Sequence, residues 1–151
     1  MATFTKVNGF VEHLSEGVHN LGTDQLRVAL SNTAPSAETP DPTVLTADAL
    51  LANVTEIAYT NLDSDPTSRN LTVITSSQTG GTYTLDADPN VVLTASGGAM
   101  AEFRYIYIYN TAGTGVTDPL IGYYDYGSGL TLEADETLTI AFDALGILTL
   151  V

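Results

Sequence analysis

The sequence contains no cysteine. That excludes disulfides, zinc–thiolate sites, redox pairs and thiol catalysis. Cations are nearly as scarce: Lys6, Arg27, Arg69 and Arg104 stand against 18 Asp and Glu, for a formal net charge of −14. Binding a phosphate backbone needs clustered cations, and these four are scattered, so no nucleic-acid partner is expected. The same scarcity argues against an anionic membrane surface. No stretch approaches the ~18 apolar residues of a membrane span. The segment Met1 to Gly9 lacks a basic region followed by a long apolar run, so no secretory signal is expected there. Charged residues amount to 15%, below the usual ~25%. Much of the surface must therefore be Thr, Ser, Asn and Gly, which suits a protein packed against neighbours. Strong acidity favours solubility and repels DNA, although a halotolerant proteome gives the same bias.

What is present argues for one packed domain over 1–151. The chain is 44% hydrophobic, and its length suffices to bury about two-thirds of the surface an unfolded chain exposes. The first segment reads as an amphipathic helix within 1–22. Phe4, Val7, Val11, Leu14 and Val18 recur at spacings of three and four and build one apolar stripe. Thr3 or Thr5 fits the start, and Gly22 fits just past the end. Gly9 and Gly17 each weaken such a helix by up to ~1 kcal/mol, so it should depend on docking.

Gln25 to Asn32 reads as a strand, because Leu26, Val28 and Leu30 alternate with polar or small residues. A proline-rich loop or arm follows over 33–46, with Pro35, Pro40 and Pro42, and cannot enter a sheet interior. Thr46 to Asn53 is compatible with a short helix capped by Thr46, with Asp48 in its first turn. From Arg69 onward strand follows strand. Gly80-Gly81 marks a hairpin turn, and Val91 to Ala95 is short. In Ala99 to Asn110, Phe103, Tyr105, Tyr107 and Tyr109 face one way and Arg104, Ile106 and Ile108 the other. With both faces largely apolar, that strand is expected to be central and covered on both sides. Further strands are read at Leu120 to Tyr126, Leu130 to Leu132, Thr137 to Phe142 and from Ile147 on. The expected class is mainly β: an antiparallel β-sandwich or jelly-roll-like barrel with an N-terminal amphipathic α-helix.

Residues that carry chemistry are few. His13 and His19 are the only histidines. Six apart on one helix, they point to nearly opposite sides, whereas a helical metal pair needs spacing of three or four. Both are expected to be partly exposed. Asp63 with Asp65, Asp86 with Asp88, and Glu133 with Asp135 and Glu136 could ligate calcium or flank a glycosidic bond, but acidic turns at strand ends explain them better, and no EF-hand spacing occurs. Tyr123, Tyr124 and Tyr126 beside Asp125 could form a sugar-stacking platform, though such clusters also serve as core packing. No Gly-x-Ser-x-Gly elbow occurs. Gly113-Thr114-Gly115 and Gly127-Ser128-Gly129 lack the Lys and strand-to-helix context of phosphate loops. No enzymatic activity, cofactor or metal is expected.

Several stretches resemble small virion proteins of tailed bacteriophages. They are Phe10-Val11-Glu12-His13-Leu14, Val18-His19-Asn20-Leu21-Gly22 and Leu26-Arg27-Val28-Ala29-Leu30-Ser31-Asn32-Thr33-Ala34-Pro35. Ala95-Ser96-Gly97-Gly98, Phe103-Arg104-Tyr105 and Tyr109-Asn110 continue the likeness. It is closest in Pro119-Leu120-Ile121-Gly122-Tyr123-Tyr124-Asp125-Tyr126-Gly127-Ser128 and Asp135-Glu136-Thr137-Leu138-Thr139-Ile140-Ala141-Phe142-Asp143. It is weakest from about Ser36 to Asn70. The resemblance implies a virion structural protein more firmly than a position in the particle; a small, acidic, mainly β chain with an amphipathic helix and a proline-rich arm points foremost to a capsid decoration or cement protein on the outer surface of the head. Its implied partners are the major capsid protein and further copies of itself, with a trimer favoured. A tail, connector or fibre-associated module is the alternative, as is a carbohydrate-binding β-sandwich for host attachment. The stripe residues Phe4, Val7, Val11, Leu14 and Val18, together with Pro35, Pro40 and Pro42, are the candidate interface residues.

Overall fold

The computed structural model describes every residue except 1, 39, 45–48, 89 and 144. Its elements are β1 (Phe4–Lys6), α1 (Gly9–Ser15), β2 (Leu26–Ser31), β3 (Val73–Thr79), β4 (Thr82–Ala87), β5 (Val91–Thr94), β6 (Phe103–Asn110), β7 (Leu120–Leu130), β8 (Thr137–Ile140) and β9 (Leu148–Leu150). The fold is mainly β, with antiparallel sheets ordered β1-β7-β6-β2, β3-β4-β9 and β5-β8. They share one hydrophobic core, and the described strands form no closed barrel.

β6 occupies the centre that its two apolar faces predict. It pairs with β2 from Leu26↔Asn110 to Ser31↔Tyr105 and with β7 through Ile106↔Tyr124 and Ile108↔Gly122. Every residue of β6 except Arg104 is buried. Fully burying a side chain such as Leu30 or Ile108 contributes about 1.5–3 kcal/mol, so β2 and β6 hold much of the fold. Gly80 and Gly81 make the predicted turn between β3 and β4, both at positive φ (60° and 92°). The separate strand expected at Leu130 to Leu132 is instead the end of β7. Leu130 pairs with Phe103 after the register slips between Phe103 and Tyr105, where Gly127 (φ 93°) lets β7 bulge.

The N-terminal helix is far shorter than 1–22. Phe4–Lys6 pairs as β1 with the edge of β7, Phe4↔Tyr124 to Lys6↔Gly122. The bare Gly122 backbone leaves room for the Phe4 ring, which packs on Tyr124 at 5.2 Å between ring centroids. The helix then runs only from Gly9 to Ser15. Gly17 at φ 74° stops it, with Gly17 N–H donating to Leu14 O at 3.3 Å and Val18 N–H to His13 O at 2.8 Å. This is the left-handed glycine cap that satisfies the last helical carbonyls. Gly17 is therefore the stop signal, and Gly22 is not.

The segment between β2 and β3 is irregular but pinned. A single 3-10 turn spans Pro35–Ala37. Glu38 then accepts from Thr55 N–H at 2.7 Å and Thr55 Oγ1 at 2.8 Å, so the arm is fastened to its own domain. Of the helix expected over Thr46 to Asn53, only a 3-10 turn at Leu51–Asn53 is seen, and 45–48 lie outside the described residues. Arg69 ties the segment to β2. Its Nη1 donates to Val28 O at 2.9 Å, its Nε to Asp65 at 2.6 Å, and its guanidinium lies 3.8 Å over the Tyr59 ring.

Candidate functional site

Among the described residues, three strands that have a ladder partner on one side only line the same cavity. β1 pairs with β7, β8 with β5 and β9 with β4, and all three line a groove of about 720 Å³. Ile106 of β6 and Tyr124 of β7 contribute from the main sheet, Phe4 from β1, Leu138 and Ile140 from β8, and Leu148 from β9. The lining is largely apolar, and its charged members are Lys6 and Asp143. Tyr126 in the lining is 52% exposed, and Leu145, next to the lining residue Gly146, is 80% exposed. Tyr124 has its hydroxyl pushed up to about 12 by burial, with the Asp143 carboxylate adding to the effect. It therefore stays protonated in the groove at neutral pH. Asp143 also fixes the β8–β9 connection, accepting from Leu145 N–H at 2.8 Å through its side chain and from Gly146 N–H at 2.9 Å through its carbonyl. An apolar lining framed by strand edges suits an extended, apolar chain segment better than acid–base chemistry.

The histidines form a second cluster that the sequence reading missed. Neither is partly exposed: His13 is 1% and His19 6% exposed. Because the chain reverses at Gly17, His19 folds back, and the two rings lie 5.9 Å apart. Phe10 packs on His19 at 5.2 Å. Asn110 Nδ2 lies 3.2 Å from His19 Nδ1 and donates to Asp24 Oδ2 at 2.7 Å. Burial lowers the His19 pKa to about 4, with repulsion from His13 adding and Asp24 opposing. The ring is thus neutral at pH 7, and it joins the helix end to the end of β6. The usable signal was Gly17 itself, a chain-reversing residue between the two histidines.

One carboxylate of each acidic group is held locally. Asp65 holds Arg69, Asp86 accepts from Ala87 N–H at 2.8 Å, and Glu136 accepts from Glu133 N–H at 2.9 Å. Among the described residues no three His, Cys, Asp or Glu side chains converge as metal ligands. The tyrosine cluster is split. Tyr123 packs on Tyr107 at 5.5 Å and Tyr124 on Phe4, leaving Tyr126 exposed, while Arg104 forks Asp125 at 2.7 and 2.8 Å.

The interface candidates divide by burial. Val7, Val18, Pro35 and Pro42 are buried within the chain's own fold, whereas Val11 and Pro40 are exposed and Phe4 and Leu14 half-buried. Only Phe4 of these reaches the groove. The five stripe residues do not form one helical face, because Phe4 is on a strand and Val18 follows the helix cap. Compared with known proteins, the chain matches no family model, no curated protein and no solved structure.

Proposed function

We propose that the chain is a structural protein of a tailed-bacteriophage particle, foremost a decoration or cement protein on the outer surface of the head. The observation that carries the reading is the position of the phage-like stretches. Phe10 to Leu14 lies in α1, Leu26 to Pro35 supplies β2, Phe103 to Tyr105 and Tyr109-Asn110 form the two ends of β6, and Pro119 to Ser128 supplies most of β7. The likeness thus covers much of the main sheet and, in Asp135 to Asp143, β8 beside the groove, and it is weakest in the irregular segment after β2. A net charge of −14 suits an outer position away from DNA. Repeated on a lattice, weak contacts gain from multivalency. In this reading the partners are the major capsid protein and further copies of the chain, as a trimer.

Quantitative mass spectrometry of purified particles tests it. A copy number near that of the major shell protein is the expected result. A few per cent of that number would move the chain to the tail or connector and overturn the decoration reading. Absence from particles would overturn the virion reading altogether.

A further inference from the structure

We propose that the groove between β1, β8 and β9 is a docking site for one extended strand of a partner protein, cationic overall and apolar at alternate positions. This deepens the reading of a particle protein that works through contacts, and it rests on that reading only for the presence of a protein partner.

The strand edges set the conformation of the occupant. An edge strand presents unpaired N–H and C=O groups, and a second extended chain satisfies them by adding to the sheet. Proteins usually blunt such edges with charge, proline or a bulge. β8 reads Thr-Leu-Thr-Ile and β9 Leu-Thr-Leu, with no charge and no proline in either, and both pair in unbroken register with β5 and β4. Among the described residues, two such undefended edge strands line one cavity. The lining sets the side chains: the half-buried Phe4, Tyr124, Leu138 and Leu150, backed by the buried Ile140 and Leu148, reward apolar residues on one face of an entering strand. The volume of about 720 Å³ is of the size that holds a compact ligand or short segment. β8 is four residues long, so a short segment is enough to span the edge at about 3.3 Å per residue.

Charge chooses among possible strands. A second copy of this chain has its four cations scattered at Lys6, Arg27, Arg69 and Arg104, so wherever else copies meet it offers this groove no cationic strand. A cationic segment is drawn by the acidic field of the whole molecule. At the groove itself Asp143 and Lys6 offer one charge of each sign, so the preference arises from the molecule rather than from one ion pair.

The probe is the capped peptide KVTVTIK, titrated into the full chain and followed by amide NMR. We expect saturable shifts centred on residues 137–140 and 148–150, with slower hydrogen exchange at their groove-facing amides. The counterpart KVPVPIK, which loses two N–H donors, should bind at least tenfold more weakly. So should the acidic counterpart EVTVTIE. Ala141→Arg, at an exposed lining position, should weaken KVTVTIK at least tenfold without lowering the melting temperature. Val92→Thr on β5, outside the lining, should leave binding unchanged. Absence of saturable shifts overturns the proposal, as does equal binding of KVPVPIK or EVTVTIE. Concentration-dependent self-association that protects the same amides would assign the groove to a second copy and would also overturn it. The peptide reads the groove and the copy count reads the particle, so each reading can fail alone.

Discussion

β6 and β8 are built from similar alternations of apolar and polar or aromatic residues, yet their situations differ. β6 has a ladder partner on each side, and every residue but Arg104 is buried. β8 has one partner, and of its four residues only Ile140 is buried. The first strand spends its hydrogen bonds and apolar surface inside the chain. The second leaves an edge and part of its apolar surface open beside Tyr126 and Leu145. Stability and interaction capacity are thus concentrated on different sides of one core.

The comparison can be broken most forcefully at Phe103. Its side chain is fully buried, so Phe103→Ala should cost about 3–5 kcal/mol, read from the urea midpoint. A loss below about 1 kcal/mol would show that the centre is not closed as described. Arg69→Ala should cost about 3 kcal/mol, because Asp65 and the Val28 carbonyl lose a buried charged donor. Thermal unfolding with a matched Asp65→Asn double-mutant cycle measures how much of that belongs to the pair.

His19 offers a pH test of the same closed side. Its folded pKa is lowered from 6.5 to about 4, so the unfolded chain binds the proton first as pH falls. The stability held by the neutral ring is present above pH 6.5 and is lost as pH drops toward 4, amounting to roughly 3 kcal/mol by linkage. Urea midpoints between pH 7 and 4.5 should fall less steeply in His19→Gln than in the unchanged chain. Identical slopes would contradict the buried neutral ring. The smallest effect is expected on the open side. Tyr126→Ala should stay within about 0.5 kcal/mol in the same urea assay, because that ring is half exposed.

The strand succession and the centrality of β6 were legible because alternation is local and covers both faces of Phe103 to Asn110. The turn at Gly80-Gly81 was legible for the same reason. The N-terminal segment was misread because Phe4, Val7 and Val11 fit a helical stripe by spacing, while what draws Phe4 into a strand is Gly122, far along the chain. By propensity alone Gly17 weakens a helix, whereas its positive φ makes it the cap. That single misreading also hid the histidine pair, since one helix would separate His13 from His19. The groove was not legible at all. Alternation in β8 and β9 marks them as strands but does not say that, among the described residues, each has a ladder partner on one side only.

Amide hydrogen exchange on the full chain tests the closed-against-open account most directly. The account predicts that amides of β6 and of the flanking β2 and β7 exchange slowest, near the rate set by global unfolding. Groove-facing amides of β8 and β9 should exchange orders of magnitude faster. Equal protection of the β8 and β9 edges and β6 would mean that the groove is already closed by the chain itself, and would contradict it.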